Sequence, residues 1–171
     1  YDYAGGLCEW EADSMDVTEV AALLAAQEKT VSVAEACTCG LVGYMLSTVP
    51  GSSKFFPGGV IAYTGGLKQK VLGVPDEIYK EKGSVSPEVA VAMARGVRDL
   101  TGTDYAISTT GVAGPTGARP GLPIGTFYVG LAGPGNLEVS ERIQADSGER
   151  DGNKRQAAQA TLDLLARQLR G

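Results

Sequence analysis

The chain has 171 residues, 15 basic against 20 acidic side chains, a net charge of -5 and no histidine. That length fits one compact domain with a sizeable core, and the acidic balance, with no long single-sign run, argues against nucleic-acid or anionic-membrane partners. Without histidine, Ser-His-Asp and Cys-His catalysis and any imidazole metal site are excluded, so a general base must be Lys, Tyr, Cys, Asp or Glu.

Residues 1–15 show neither a helical nor a strand period and read as a flexible lead-in or an appended segment, ahead of an α/β domain over 16–171. Asp16 followed by Glu19 resembles a capping box, and Val17, Val20, Ala21 and Leu24 recur at helical spacing, which predicts a helix over 17–28. Residues 31–34 read as a buried strand and 40–47 as a helix, which Pro50 and Gly51 prevent from continuing. A second strand is expected over 59–63, one or two helical turns over 67–72, and a further turn of helix in "VPDEIYKEKG", closed by Gly83. The clearest helix has Ser86 as cap and Pro87 at its first position, with Val89, Ala90, Met93, Val97 and Leu100 on one face. Strands over 105–109, 126–131 and 138–144 follow, the last two flanking the hairpin signal "AGPGN", and a helix over 153–169 closes the chain.

Strands separated by helices early and a hairpin late imply a three-layer α/β/α domain with a mixed sheet of about five strands. On such sheets ligands bind at the carboxyl ends of the parallel strands, here the turns after Ala34, Tyr63 and Thr109. No window reaches the roughly 18 consecutive apolar residues of a membrane span. Cys8, Cys37 and Cys39, odd in number and unevenly spaced, suggest reduced thiols, and hence a cytoplasmic setting or an organelle matrix reached after loss of a targeting segment.

The three turns carry unusual residues. In "AEACTCGL", Thr38 and Gly40 open a helix, where their N–H groups fit an anion, or Thr38 fits the role of N-cap. Cys37 and Cys39 are thiols at a helix start, where a thiolate is stabilised and could act as the catalytic nucleophile, Cys39 ahead of Cys37; a small buried apolar filler is the alternative for Cys37. Glu35 either orients Lys68 or a substrate hydroxyl, or forms a structural ion pair. Tyr63 and Lys68 are five residues apart across a strand end and a helix start, so both can face one cleft, where a desolvated lysine serves as a base and a tyrosine relays protons. In "TGVAGPTG", Thr110, Gly111, Ala113 and Gly114 allow a close backbone approach that suits an oxyanion site, or simply a tight crossover loop; neither the Walker nor the Rossmann spacing is present.

Taken together, "VPGSSKFFPGGVIAY", "GSVSPEVAVAMARG" and "TTGVAGPTG", in that order and spacing, resemble the C-terminal domain of the CinA (competence/damage-inducible) family over most of the chain, from about residue 16 to 170. The resemblance implies a three-layer α/β/α fold and hydrolysis of the carboxamide of nicotinamide mononucleotide, a small pyridine nucleotide, to the acid and ammonia, with no cofactor and a homo-oligomeric habit that the exposed apolar residues expected on the short helices also suit. It implies a serine nucleophile in a Glu-Ser-Cys-Thr-Gly-Gly turn, assisted by a tyrosine and a lysine that match Tyr63 and Lys68. It also likens Arg150, in "SGERDGNKR", to a Gly-Asp-Arg element able to clamp a phosphate, against the default of a surface arginine. This chain departs from the pattern where Ala36 stands for the serine, Cys39 for a glycine, and Gly65 for an asparagine. A methyl group cannot attack a carbonyl, so the covalent route is closed as written. Three departures at one site point to divergence rather than to a single engineered knock-out. Two functions follow as alternatives: an amidohydrolase-like domain weakened or silenced by Ala36, or an inactive nucleotide-binding or scaffolding module.

Overall fold

A run of small and branched apolar residues, Val31–Glu35, forms the central strand β1, every residue of which is buried. In this computed structural model, which describes residues 16–171, β1 pairs in parallel with β2 (Gly58–Ile61) and β3 (Tyr105–Gly111). Strand β4 (Thr126–Ala132) returns antiparallel to β3, and the "AGPGN" turn sends β5 (Glu138–Gln144) back along β4. The strand order is β2-β1-β3-β4-β5, the expected mixed five-stranded sheet. The lead-in expected over residues 1–15 lies outside the described residues.

The two-residue period of the strands divides the core. Val31, Val33, Ile107, Val129 and Leu131 face one layer, made by α1 (Val17–Ala26), α2 (Leu41–Ser47) and the long α6 (Arg150–Arg170). Ala34 and Ala106 face the other, where α5 (Pro87–Thr101) packs Val89, Met93 and Val97 beside α3 (Gly65–Leu72), with α4 (Asp76–Lys82) alongside. Small alanines on that face let α5 lie close. Val129, Leu131 and Leu162, Leu164 and Leu165 of α6 show no exposed surface, so burial of this apolar area supplies most of the driving force.

Several local expectations change in detail. Asp16 caps α1 through the Thr18 N–H at 2.9 Å, but Glu19 does not fold back to close the box and instead lies 3.8 Å from Arg170. Leu100 is 60% exposed rather than part of the core face. The sheet-facing place one turn beyond Val97 falls to Thr101, whose hydroxyl donates to the Val97 carbonyl at 2.7 Å and lies 3.0 Å from Ser32 Oγ. Strand β2 ends at Ile61, so Tyr63 belongs to the turn into α3, and α6 begins at Arg150, three residues earlier than its apolar period indicates. Among the described residues, no helix is long and apolar enough to cross a membrane.

Candidate functional site

The turn after β1 is organised by a carboxylate. Glu35 follows the parity of Val31 and Val33, so its side chain enters the α2 layer, where it is 1% exposed. Its Oε2 accepts from Thr38 Oγ1 at 2.6 Å, Gly40 N at 2.9 Å and Val42 N at 3.2 Å, and its Oε1 from Gly43 N at 2.8 Å. The charge therefore sits on the otherwise unsatisfied N–H groups of a helix start, with the helix dipole in its favour. Three expectations are corrected by this geometry. Thr38 is not the N-cap of α2; that position is Gly40, at φ +96°, with no side-chain cap of its own, while Thr38 bridges Glu35 and Thr109 Oγ1. The Gly40 N–H is already bonded to Glu35. Glu35 neither contacts Lys68 nor forms an ion pair.

Cys39 is exposed, and it sits at φ +54°, a left-handed conformation in which glycine is the unstrained residue. That explains why the resembling pattern has glycine there. A cleft of about 330 Å³ opens next to this turn, and Glu35, Thr38, Cys39 and Gly40 are all absent from its walls.

Ala36 and Cys37 do face the cleft, together with Tyr63 and Lys68 from beyond β2, Thr110, Gly111, Ala113 and Gly114 from the end of β3, and Arg150 from the start of α6. The parallel strands β1, β2 and β3 thus deliver their following turns to one place, as the sheet rule requires. Ala36 is 5% exposed and anchored by its N–H to the Thr109 carbonyl at 3.0 Å.

Lys68 is 3% exposed, and its Nζ donates to the Ser84 carbonyl at 2.9 Å and to Thr110 Oγ1 at 2.8 Å. Burial pushes its ammonium down to about 8, against a small opposing pull from Cys37. Burial also pushes the Cys37 thiol up to about 12, and the nearby Lys68 and the Thr109 hydrogen bond offset only part of that rise. At neutral pH this thiol is protonated, which fits the packed filler and not the nucleophile. Across the cleft, Arg150 donates through Nη1 to the Gly114 carbonyl at 2.6 Å and through Nη2 to the Tyr63 hydroxyl at 2.8 Å. Tyr63 is half exposed at the rim.

Four residues escape a reading by local pattern. Asn153 is buried in the first turn of α6, donates to the Ala113 carbonyl at 3.1 Å and accepts from Ser147, tying the glycine-rich loop to the helix. Ser84 is the carbonyl partner of Lys68. Tyr79 of α4 reaches the cleft so that a Cβ on Gly65 would lie 1.9 Å from its hydroxyl oxygen. The phenol thus takes the space that a side chain at position 65 would need. Arg119, from the loop after Gly117, completes the walls; an arginine inside a glycine-rich stretch was the one visible signal for it. Among the described residues three cations, Lys68, Arg119 and Arg150, line this cleft and no carboxylate does, in a chain whose net charge is -5.

The comparisons agree with the geometry. The family model described as the CinA C-terminal domain matches residues 14–169. A CinA-like protein of Myxococcus xanthus is 45% identical over 140 residues, covering 82% of this chain and 33% of the relative. A CinA-like protein of Anaeromyxobacter sp. strain K is 43% identical over 151 residues, covering 88% of this chain and 36% of the relative. The chain therefore spans about a third of the length of the relatives it matches. The crystal structure of a competence-damaged protein (CinA) superfamily protein from Klebsiella pneumoniae superposes with a TM-score of 0.85 at 28% identity, covering 90% of this chain and 95% of that one. Sequence, fold and the order of the cleft-forming turns lead to one conclusion: this chain belongs to the CinA C-terminal domain family.

Proposed function

We propose that the cleft binds a pyridine mononucleotide and that the chain is an amidohydrolase-like domain whose covalent route is silent, so that it works as a nucleotide-binding module. The observation that carries this is the set of three uncompensated cations around Ala36. A phosphate suits Arg150, whose fork is held in place by Gly114 and Tyr63 and has N–H groups to spare. The amides of Ala113 and Gly114 make no hydrogen bond among the described residues, and both residues line the cleft, which suits them to donate to a carbonyl oxygen. Lys68, with a proton affinity brought close to neutrality, suits proton transfer at the carboxamide.

What is missing is the attacking atom. Ala36 has none, Cys37 is protonated and packed, and Cys39 is outside the walls. This favours the binding module over an active amidase. Ammonia release from nicotinamide mononucleotide, followed beside an Ala36→Ser variant, tests the reading: release by the variant alone supports it, and release by both at equal rates refutes the silent route. Exposed Tyr44, Ile61, Leu67 and Val71, on α2, β2 and α3, support a homo-oligomer, which light scattering checks.

A further inference from the structure

We infer that the cleft is built for a ligand with two anionic groups, and that it holds the acid form of the nucleotide, with a carboxylate on the ring, in preference to the carboxamide. This rests on the nucleotide reading above and deepens it.

The cations form two poles. Arg150 is fixed on one side by Gly114 and Tyr63. The other pole joins Lys68, bonded to the Ser84 carbonyl, with Arg119, whose Nη2 lies 3.4 Å from where a Cβ on the adjoining Gly83 would sit. Among the described residues, the Arg119 side chain has no hydrogen-bond or ion-pair partner and no acidic side chain lines the cleft. One phosphate compensates one pole only. Arg119 and Arg150 are exposed, but Lys68 is buried and has only neutral acceptors, so a second anion beside it and Arg119 offsets the cost of that buried charge.

Donor chemistry points the same way. Ammonium and guanidinium are donors only. The acceptors beside Lys68, Ser84 O and Thr110 Oγ1, are already engaged by it. A carboxamide offers these donors one neutral acceptor oxygen and an NH₂ that cannot accept from them, whereas a carboxylate presents two acceptors and a full negative charge. With Ala36 unable to convert amide to acid by the covalent route, the site is better matched to the product of that reaction than to its substrate.

The test is calorimetric titration, at neutral pH and low salt, of the whole chain with nicotinic acid mononucleotide and with nicotinamide mononucleotide. Arg119→Gln is titrated in parallel, and its melting temperature serves as a control for folding. The acid form is expected to bind at least about tenfold more tightly, one charged contact's worth. In Arg119→Gln that ratio should fall below about threefold. Equal affinities, or a tighter amide, overturn the inference and leave the nucleotide site standing; a ratio that survives Arg119→Gln removes Arg119 from the second pole. Binding of neither ligand sinks the nucleotide reading itself, and the preference with it.

Discussion

Glu35 and Lys68 are both buried, both charged and both set at the carboxyl end of the same sheet, yet they are treated in opposite ways. Glu35 receives four hydrogen bonds, three from helix-start N–H groups, and its charge is spent inside the protein. Lys68 receives two neutral acceptors and no carboxylate, and burial lowers its affinity for a proton. A saturated buried charge is a structural part, because nothing remains for a ligand to supply. A buried charge left in deficit costs stability, and a cleft that carries such a cost is where an anion gains most by binding.

The largest test of that contrast is Glu35→Ala, which orphans the amides of Gly40, Val42 and Gly43, while the Thr38 hydroxyl keeps Thr109. Urea unfolding should show a loss of about 4 kcal/mol. A loss within experimental error would mean that α2 does not depend on the carboxylate.

Lys68→Met should act in the opposite direction, stabilising the chain by about 2 kcal/mol at pH 7 while abolishing nucleotide binding. Ser84 O keeps a donor in Thr110 Oγ1 at 2.8 Å, so the substitution strands no acceptor. The pH profile separates the charge from the packing. Between the Lys68 value of about 8 and its ordinary 10.5, the unfolded state binds more protons, so stability rises with pH there. Between the ordinary 9.0 of Cys37 and its folded value of about 12, the folded state keeps the proton, so stability falls with rising pH. The two effects cancel where they overlap, which leaves a rise of about 1 kcal/mol from pH 8 to 9 in the parent chain and none in Lys68→Met. Identical profiles for the two proteins would show that the ammonium pays no burial cost.

Arg150→Ala should weaken nicotinamide mononucleotide about tenfold, the worth of a lost charged contact, and leave nicotinamide riboside, which lacks the phosphate, unaffected. Equal losses for both would move the phosphate elsewhere. The smallest effect belongs to Cys39→Gly, which relieves a left-handed residue and should add about 1 kcal/mol of stability with no change in binding. A change in ligand affinity would return Cys39 to the site.

The elements were largely legible because their signals are local. The Ser86–Pro87 start of α5 and the "AGPGN" hairpin fold as read, with Ser86 Oγ accepting from the Val89 N–H. Leu100 was misplaced because helical spacing alone does not say where the sheet ends beneath a helix. Spacing already suggested one cleft for Tyr63 and Lys68, but Arg150 came only from likeness to a family, since the contact between residues 63 and 150 spans a sequence separation of 87.

The sequence by itself determined the alternation of strands and helices and the absence of imidazole chemistry, because each is a property of residue type and near neighbours. Only the tertiary structure decided that Glu35 is spent on α2 while Lys68 stays in deficit, and that Arg119 joins it. Which charges are compensated depends on partners brought together by chain crossings, and on a burial that no single stretch of chain can create.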